Sequence, residues 1–454
     1  MSKNARITFC SGVDTVTGAN FIFESFVGKR IMIDCGLIQG EKVAMEENGK
    51  SFSYEPGSIE ALIITHAHLD HVGRIPKLVK EGYKGTIYST PETKALAELV
   101  LNDAASILAE EAKRDGRLPI YDPNDIPAIF PLWQTVKYHE PISIDKLKIV
   151  LKDAGHILGS AMIEISDEDG KKILFSGDLG NSPAPLLSDT EAVGEADYLV
   201  MESVYGDRNH ESREGRINKF RQIIMDTIEK GGTLVIPSFS IDRTQILLYE
   251  LNNLVERGKI SRVPVFVDSP MAIRATEIYA SSQQLFNPTV REQISRGDDI
   301  FHFPKLEYTI SKGESEDIKK IQGAKIILAG SGMSIGGRVI GHENRYLPDG
   351  KNTILLVGYQ AAGSLGRQLA DGAKKVKIYG ETVKIKAKIE TLYGYSAHKD
   401  SDHLLEFVGT ASSKLKEVFV VMGEPRASMY LAQRINDEFG VMAVVPEKGS
   451  TVQL

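Results

Sequence analysis

The sequence predicts an α/β protein in which a sheet-rich unit is interrupted by a unit of alternating strands and helices. Short alternating strands with turn residues between them occupy the chain up to about residue 65. After residue 206 the pattern becomes strand followed by helix, repeated, which is typical of a parallel sheet covered by helices. Short strands return from about residue 384. We therefore expect a first unit at residues 1–206, an inserted unit at 207–383 and a return segment at 384–454.

The sheet-rich unit is predicted from alternating apolar positions and from one clear helix. Alternation predicts strands at residues 7–10, 21–26, 30–34, 61–65, 147–151, 161–166, 172–176 and 198–202. A helix is predicted to begin at Thr90-Pro91-Glu92, where a capping residue, a first-turn proline and an acid precede leucines at helical spacing. These apolar stripes indicate packing against a core, so we assign them no chemistry.

The inserted unit is predicted from strands that are each trailed by a helical pattern. These strands are expected at residues 233–237, 263–268, 325–329 and 353–358. In the return segment, strand candidates lie at Leu392 and at residues 418–422 and 442–445. The tail is therefore expected to rejoin the first unit.

Composition restricts the class of protein. The chain has 454 residues, of which 42% are hydrophobic and 25% charged, so it is expected to be globular with more than one domain. The net charge of −7 excludes a wholly basic nucleic-acid-binding surface but permits a local basic groove. Cys10 and Cys35 are too few for a disulfide framework, and no apolar run reaches about 18 residues. We expect a cytoplasmic protein without a membrane segment.

A histidine cluster follows the apolar strand at residues 61–64. His66, His68 and His71 stand together with Asp70 in a seven-residue stretch, in a chain that has 10 histidines. Side chains alternate in an extended segment, so His66 and His68 are expected to point to one side. Asp70 and His71 lie where the chain turns into a helix. Imidazole and carboxylate are the ligands of hydrolytic zinc sites, so this cluster predicts a metal centre that can serve two adjacent cations.

Two later turns offer further ligands. His156 and Asp178 each follow a predicted strand and are each flanked by glycines, which let the backbone approach a crowded centre. Taken singly, each residue is more typical of a capping or hydrogen-bonded polar residue than of a metal ligand. Together with the histidine cluster they predict a binuclear site.

The order of these residues resembles a known family. Asp34, the His66-x-His68-x-Asp70-His71 motif, His156 and Asp178 are similar to the metallo-β-lactamase fold, an αββα sandwich with a metal site at one edge. Residues 201–208, which read MESVYGDR, and residues 394–398, which read GYSAH, resemble the β-CASP branch. That branch comprises RNA-processing nucleases, including cleavage-and-polyadenylation endonucleases, that insert a Rossmann-like domain into the sandwich.

The resemblance implies roles for individual residues. It implies two zinc ions per chain, with His66, His68 and His156 on one, Asp70 and His71 on the other, and Asp178 bridging them. Asp34 would lie behind the ligands and orient them. Glu202 and His398 would face each other across the substrate cleft, with His398 as general acid, Glu202 orienting it, and Asp70 completing the catalytic set. The product would keep a 5′-phosphate.

One position departs from the family pattern. The last zinc ligand is usually a histidine before Gly-Glu at the end of a late strand, and Met422 stands there in this chain. A thioether is a poor ligand for Zn²⁺, so the second zinc is expected to bind weakly. Three interpretations stay open: another residue such as His403 replaces the ligand, the second metal is labile, or catalysis has been lost and binding kept. Met422 is equally compatible with a role as core filler.

Loops after the strands of the inserted unit are candidates for binding phosphate. In an open parallel sheet these loops converge at the carboxyl ends of the strands, where backbone N–H groups and helix starts hold anions. The candidate phosphate or RNA contacts are Ser238, Ser331, Gly332, Arg338, Ser364 and, near the return segment, Ser396.

The sequence thus predicts a zinc-dependent ribonuclease that acts on single-stranded or structured RNA, inside the chain, from its 5′ end, or both. A small-molecule metallo-hydrolase of the same fold is the first alternative, because the histidine cluster alone does not specify RNA. A catalytically weak RNA-binding protein is the second alternative, because of Met422. We expect a monomer or a homodimer.

Overall fold

The computed structural model describes residues 5–40, 42–361, 363–411 and 413–454. The chain divides into two compact units, one drawn from residues 1–209 and 398–454 and the other from residues 210–397. Strands and helices are numbered here in chain order. Both units combine sheets with helices, which confirms the predicted α/β class.

The first unit is built from strands that precede the second unit and from strands that follow it. The preceding strands are β1 (Arg6–Ser11), β2 (Asn20–Glu24), β3 (Arg30–Ile33), β4 (Ala61–Ile63), β5 (Thr86–Ser89), β6 (Trp133–Thr135), β7 (Pro141–Ile144), β8 (Leu147–Asp153), β9 (Ala161–Ser166), β10 (Lys172–Phe175) and β11 (Tyr198–Glu202). The helices among them are α1 (Lys42–Gly49), α2 (Leu69–Val72), α3 (Ile75–Lys80) and α4 (Pro91–Arg114). Short 3₁₀ turns lie at Pro56–Ser58, Ile126–Ala128 and Phe130–Leu132.

The second unit contains β12 (Thr233–Pro237), β13 (Val265–Asp268), β14 (Leu306–Tyr308), β15 (Lys325–Ala329), β16 (Thr353–Val357), β17 (Lys375–Ile378), β18 (Glu381–Lys384) and β19 (Lys388–Leu392). Its helices are α5 (Arg213–Glu229), α6 (Arg243–Glu256), α7 (Pro270–Ser281), α8 (Pro288–Ser295), α9 (Lys312–Asp317), α10 (Val339–Tyr346) and α11 (Leu365–Ala370). Its 3₁₀ turns lie at Gln283–Leu285, Ile318–Lys320 and Tyr393–Tyr395.

The chain then returns to the first unit through α12 (Ser401–Gly409), β20 (Glu417–Val421), α13 (Pro425–Phe439), β21 (Met442–Val444) and β22 (Thr451–Gln453). The predicted helix start is confirmed at α4, where Thr90 Oγ1 accepts a hydrogen bond from the backbone N–H of Thr93 at 3.2 Å and Pro91 occupies the first turn.

Two sheets form the first unit. One has the strand order β22-β1-β2-β3-β4-β5-β6, and the other has the order β21-β20-β11-β10-β9-β8-β7. The residues that alternate onto their facing surfaces form one buried apolar cluster, in which Phe9 meets Phe419 at a ring-centroid distance of 5.4 Å. On its other face the second sheet packs against α12 and α13 through a separate apolar cluster. Apolar burial between the sheets therefore holds the first unit together.

The return segment is an integral part of this unit. Strand β20 pairs in parallel with β11 over its full length, so that Glu202 lies opposite Val421, and β22 pairs with β1. The residue after each strand of a parallel pair emerges at the same edge of the sheet. Met422 is thereby brought to the edge at which Glu202 ends β11.

The second unit is built on a parallel sheet of order β14-β13-β15-β12-β16-β19, with β17 and β18 forming a separate hairpin. Neighbouring strands in that order pair in parallel, as the strand-and-helix alternation predicts. Strand β19 pairs with β16, so residues 388–392 belong to this sheet although the sequence pattern placed the return at residue 384. Within the described residues, no helix combines the length and the apolar character needed to cross a membrane.

Replacing Phe419 by Ala should destabilise the first unit by about 3–5 kcal/mol, because a fully buried ring between the two sheets is lost. Leu118→Ala, at a side chain that is 90% exposed, should change stability by less than about 0.5 kcal/mol. Urea unfolding followed by circular dichroism measures both. Equal stabilities would show that β20 is not part of this core.

Glu343 in α10 is expected to make the second unit less stable as the pH rises. Its carboxyl is fully buried, and burial raises its pKa from 4.5 to about 7 although it accepts a hydrogen bond from Ser334 Oγ. The folded state thus holds this proton more tightly than the unfolded chain does. The resulting stabilisation is complete below about pH 4.5 and is lost as the pH rises through about 7.

The stability of Glu343→Gln relative to the parent chain should therefore increase by about 2–3 kcal/mol between about pH 4 and pH 8. Urea unfolding at the two pH values measures this change. The exposed Glu381 in β18 provides the control, since Glu381→Gln should show no such trend. A Glu343→Gln difference that does not vary with pH would contradict the assignment.

Candidate metal centre

The histidine-rich segment lies at the carboxyl end of β4 and runs into the short helix α2. The backbone is held in place by the loop after β3, since the N–H of Cys35 donates to the carbonyl of His71 at 2.8 Å and that of Leu37 donates to Leu69 at 3.0 Å. The side chains of His66 and His71 are buried, at 0% and 1% exposure. Both imidazoles are therefore fixed in position by the fold.

A first set of ligand atoms comes from three loops. His66 Nε2 lies 3.1 Å from His68 Nδ1 and 3.4 Å from Asp178 Oδ2, and His156 Nε2 lies 3.3 Å and 3.6 Å from the same two atoms. Zinc ligands with bonds of about 2.0–2.1 Å in a tetrahedron stand about 3.3–3.4 Å apart. The spacing of these four atoms fits one tetrahedral zinc ion.

A second set shares Asp178 with the first. His71 Nε2 lies 3.3 Å from Asp178 Oδ1 and 3.9 Å from Asp70 Oδ2. In the part of the chain that the structure describes, His71 Nε2 and Asp178 Oδ1 are buried atoms without a hydrogen-bond partner. Buried polar atoms are normally satisfied, so a pair of them aimed at each other fits a cation between them.

Asp34 lies behind this second set. Its Oδ1 accepts a hydrogen bond from the backbone N–H of Thr65 at 2.8 Å, and its Oδ2 lies 2.7 Å from both Thr65 Oγ1 and His71 Nδ1. Because Nδ1–H of His71 donates to this carboxylate, Nε2 is the nitrogen that faces Asp178. Asp34 therefore orients the imidazole of His71.

Glycines allow the ligand loops to pack together. Gly177, next to Asp178, has a φ of 55°, and a Cβ on it would lie 2.7 Å from Thr65 Cβ. A Cβ on Gly180 would lie 1.9 Å from the carbonyl oxygen of Gly155, next to His156. The glycines that flank His156 and Asp178 thus permit the close approach that the sequence pattern suggested.

Burial sets the protonation of the ligand side chains. Burial lowers the pKa of His68 and that of His156 well below the usual range, and neighbouring histidines lower both further. These imidazoles are neutral at neutral pH, as metal binding requires. Burial also raises the pKa of Asp70. A cation at the site would counter that effect by favouring the carboxylate.

Glu202 and His398 meet beside the ligand sets, although they are 196 residues apart in sequence. His398 Nδ1 lies 3.1 Å from Glu202 Oε1 and 3.2 Å from Oε2, and 3.9 Å from Asp178 Oδ2. Glu202 Oε1 also accepts the backbone N–H of Leu179 at 2.6 Å. The His398 backbone forms a β-bridge with Gly180. The pair therefore adjoins Asp178 and is attached to the loop that carries it.

The charge state of His398 follows from this pairing. Burial alone would lower its pKa, but the Glu202 carboxylate, with Asp178 and Asp70, raises it to about 9. An imidazole at this position holds a proton at neutral pH in the absence of cations. Since Nδ1 faces Glu202, Nε2 is the atom that can donate to another group.

Met422 lies beside the second ligand set but within the apolar core. Its side chain is 2% exposed and belongs to the cluster between the two sheets. It also lines a small buried pocket together with Asp34, His71 and Glu202. The alternative His403 lies in α12, where its Nδ1 is 2.7 Å from Asp400 Oδ1, and it is not among the clustered metal-type residues of the described chain.

Sequence reasoning missed two contributions to the centre. Thr65 bonds Asp34 through both its backbone and its side chain, and its Oγ1 lies 3.1 Å from His66 Nδ1. The only signal was its position next to His66. Tyr205 stands within a recognised motif, and its ring centroid is 6.2 Å from that of His398.

The phosphate-binding candidates lie in the second unit, and several share one sheet edge. Ser238 follows β12, Ser331 and Gly332 follow β15, and Ser364 follows β16 by a short loop. These strands are parallel neighbours, so their loops lie at a common edge. Ser364 Oγ caps α11 by accepting the backbone N–H of Arg367 at 3.0 Å, and Ser238 Oγ is 3.0 Å from Thr244 Oγ1. Both hydroxyls therefore make internal hydrogen bonds.

Two further candidates are also bound internally. Arg338 Nη1 donates to Asp268 Oδ1 at 2.7 Å and to the carbonyl of Thr309 at 3.0 Å. Ser396 is 8% exposed and follows the 3₁₀ turn, and its N–H donates to the carbonyl of Tyr393 at 3.1 Å. A role for these residues in binding phosphate stays a prediction.

Three known domains match this chain. Residues 21–229 match the Metallo-beta-lactamase superfamily, residues 244–369 match the Beta-Casp domain, and residues 382–446 match the Zn-dependent metallo-hydrolase RNA specificity domain. The third match begins close to the return predicted from sequence, whereas the compact unit ends at residue 397. The domain boundaries therefore stay a prediction.

Known proteins are similar over most of the chain. Ribonuclease TTHA0252 of Thermus thermophilus is 35% identical over 381 residues, which cover 84% of this chain and 85% of that protein. Transcription termination factor FttA of Pyrococcus horikoshii is 33% identical over 471 residues, covering 100% of this chain and 71% of that protein. A crystal structure of a protein of unknown function from Enterococcus faecalis V583 matches the fold with a TM-score of 0.58 at 13% identity, covering 99% of this chain and 100% of that one. The chain therefore belongs to the metallo-β-lactamase superfamily, among the members that carry a Beta-Casp domain.

Proposed function

We propose that this protein is a zinc-dependent ribonuclease that hydrolyses RNA phosphodiester bonds at a centre for two cations. The observation that carries the proposal is the sharing of Asp178 between two ligand sets. Its Oδ2 would complete a tetrahedral set with three imidazoles. Its Oδ1 faces His71 Nε2 across 3.3 Å, and within the described residues neither of these two atoms has a hydrogen-bond partner. A donor set of imidazoles and carboxylates is suited to Zn²⁺.

The proposed ligands divide between the two ions. The first zinc would be held by His66, His68, His156 and Asp178, and the second by Asp70, His71 and Asp178. Bound divalent cations lower the pKa of water from 15.7 to about 7 and neutralise charge that develops on phosphoryl oxygens. The second set has one protein ligand fewer than the first, so the second zinc is the weaker and more labile of the two.

Asp34 and Thr65 fix the orientation of His71 in the second ligand set. Asp34 accepts Nδ1–H of His71, and Thr65 holds both oxygens of Asp34. A neutral imidazole whose other nitrogen is hydrogen-bonded to a carboxylate is the usual form of a metal-binding histidine. These residues therefore orient His71 without touching the substrate.

His398 is proposed as the general acid. Glu202 holds Nδ1 and favours the protonated ring, which leaves Nε2–H to donate to the departing sugar oxygen. Nearby cations would reduce the raised pKa of His398 toward neutrality, where a general acid works best. Cleavage of the bond to the 3′ oxygen leaves a 5′-phosphate on the downstream product, as the family resemblance implies.

RNA is favoured as the substrate by the relatives and by the domain content. A ribonuclease of Thermus thermophilus shares 35% of aligned residues with this chain, and residues 382–446 match an RNA specificity domain. A small-molecule hydrolase would not need the Beta-Casp domain at residues 244–369. We assign single-stranded or structured RNA as the substrate, cleaved internally, from the 5′ end, or both.

We also propose which loops bind phosphate, which oligomeric state is active and where the protein is located. The loops after β12, β15 and β16, with Arg338 and Ser396, would contact the RNA backbone. The protein would act as a monomer or homodimer in the cytoplasm, in keeping with the free thiols of Cys10 and Cys35.

A second candidate function is an RNA-binding protein that cleaves weakly. Met422 favours it, because an apolar side chain stands where a metal ligand is expected and joins the core between the sheets. The two candidates differ in whether the second cation binds and whether RNA turns over.

Replacement of His66 by Ala should lower RNA turnover by at least about 100-fold, because even residues that support metal ligands cost about 10–100-fold when they are mutated. Chelation should abolish turnover in the parent chain, and added Zn²⁺ should restore it. His139→Ala provides the control, since that imidazole is 61% exposed and its loss should leave turnover within about twofold. Turnover of 5′-labelled RNA and bound metal are measured together. Cleavage that survives both chelation and the His66 change would refute the proposal.

Met422→His should raise metal content from about one toward about two zinc ions per chain, because it adds an imidazole where the pocket meets His71. Turnover should rise with occupancy if the second cation limits it. Metal analysis after dialysis measures the change. Met442→His adds a histidine at a side chain that is 58% exposed and should leave the content unchanged. Unchanged occupancy in Met422→His would place that side chain outside the metal shell.

A further inference from the structure

The turn that follows β11 has no role in the chemistry described so far, although it begins beside Glu202. It contains Tyr205, Gly206, Asp207 and Arg208, and the N–H of Gly206 donates to the carbonyl of Ser203 at 3.0 Å. The turn belongs to the first unit, as do Glu202 and His398. It is therefore placed by the same core that places the metal ligands.

Hydrogen bonds tie this turn to the start of α12. Ser401 Oγ donates to the carbonyl of Gly206 at 2.7 Å, and the N–H of Ser401 donates to the carbonyl of Arg208 at 3.0 Å. Asn209 and Asp402 exchange two further hydrogen bonds, at 2.7 Å and 3.2 Å. Since α12 begins three residues after His398, the turn and the proposed acid are both connected to the start of this helix.

Packing against α13 also holds the turn in place. A Cβ on Gly206 would lie 2.6 Å from the carbonyl oxygen of Ala427 and 3.1 Å from Leu431 Cβ, so the turn lies directly on α13. Asp207 then receives two guanidinium groups, with Arg208 Nε at 2.7 Å and Arg426 Nε at 3.8 Å from its oxygens. The backbone of this turn is thus held in place by packing, and the exposed guanidinium groups of Arg208 and Arg426 pair with Asp207 at its surface.

Ring–ring contacts and a cation–π contact connect the proposed metal ligand His156 with this turn. The ring centroid of His398 lies 4.6 Å from that of His156 and 6.2 Å from that of Tyr205. The guanidinium carbon of Arg208 lies 5.9 Å from the centroid of Tyr205. The Arg208 side chain is 49% exposed, and its contact with Asp207 uses Nε, while its two Nη groups have the geometry that binds phosphate.

We propose that Tyr205 and Arg208 form the subsite for the nucleotide whose 3′ oxygen leaves, with Tyr205 against its sugar or base and Arg208 on the next phosphate upstream. The inference rests on the proposed ribonuclease function. His398 protonates the leaving oxygen, so the nucleotide that bears this oxygen must lie next to the His398 ring. Tyr205 is an aromatic side chain next to that ring in the first unit, at a centroid distance of 6.2 Å, and aromatic side chains bind nucleotides of any sequence.

The reaction itself is the hydrolysis already described. Water gives one proton to solvent, and the resulting hydroxide oxygen bonds to phosphorus while the bond from phosphorus to the 3′ oxygen breaks. His398 transfers a proton to that departing oxygen and then regains one from solvent. Tyr205 and Arg208 take no part in these bond changes. They bind the upstream fragment, so their loss should affect only substrates that possess such a fragment.

Two substrates separate this role from damage to the centre. The first is an RNA oligonucleotide, and the second is a nucleoside 5′-(p-nitrophenyl phosphate), in which p-nitrophenol replaces the upstream nucleotide. Tyr205→Ala and Arg208→Ala should each lower kcat/KM for RNA roughly 10- to 100-fold, mainly through KM, the range expected for a lost stacking or phosphate contact. Each should leave turnover of the nitrophenyl ester within about twofold, since the ester lacks the group that the subsite binds.

A matched control is available in the first unit. Arg114 is paired with its neighbour Asp115, Nε to Oδ1 at 3.2 Å, in the same way that Arg208 is paired with Asp207, and it is 73% exposed. Arg114→Ala should leave both substrates unaffected. His398→Ala should lower kcat for RNA with KM retained, which distinguishes a missing acid from a missing subsite.

Binding without cleavage gives a second readout. In the presence of chelator, fluorescence anisotropy of a labelled RNA should show weaker binding by Tyr205→Ala and Arg208→Ala than by the parent chain or Arg114→Ala. A loss of turnover that is equal for RNA and ester, or RNA kinetics and binding like those of the parent, would overturn the subsite. If the parent chain binds RNA but cleaves neither substrate, the proposed ribonuclease function is refuted. The comparison of RNA binding between the variants and the parent chain would then decide whether Tyr205 and Arg208 form the subsite.

Discussion

The carboxylate of Asp178 is the constraint on which the candidate metal centre depends. One oxygen lies 3.4 Å and 3.6 Å from the Nε2 atoms of His66 and His156, and the other lies 3.3 Å from Nε2 of His71. Several buried imidazoles around one carboxylate would be costly to desolvate unless charges compensate one another. Divalent cations between these atoms would provide that compensation, so the buried arrangement of these side chains favours binding of metal ions.

The fold provides this arrangement by ending several strands at one edge of the sandwich. Asp34 follows β3, His66 follows β4 closely, and Asp178 follows β10, while Glu202 is the last residue of β11. Parallel pairing of β3 with β4 and of β10 with β11 brings the residues after each pair to the same edge. Rigid strands packed across an apolar core therefore position the side chains, and short glycine-containing loops bring them into contact.

Met422 shows how core packing and ligand chemistry compete at this edge. Parallel pairing of β20 with β11 brings it beside the centre, and its side chain completes the apolar surface between the sheets. A histidine there would add a ligand but would also introduce a polar group among buried aromatic and aliphatic side chains. In this chain, the methionine contributes an apolar contact to the core between the sheets.

Local patterns in the sequence determined the α/β class, the strand at residues 233–237, the start of α4 and the proximity of His66, His68, Asp70 and His71, because periodicity and short-range spacing reflect burial directly. They missed the roles of Thr65 and Tyr205, and they did not show that Arg338 bonds Asp268 or that β19 joins the sheet of the second unit. No local pattern predicted that Glu202 meets His398 from 196 residues away or that Asp34 contacts His71. The family resemblance alone implied both pairs, and the tertiary structure shows the contacts. The physical reason is that such contacts depend on which strands pair and in what register, and no short stretch of sequence specifies that order.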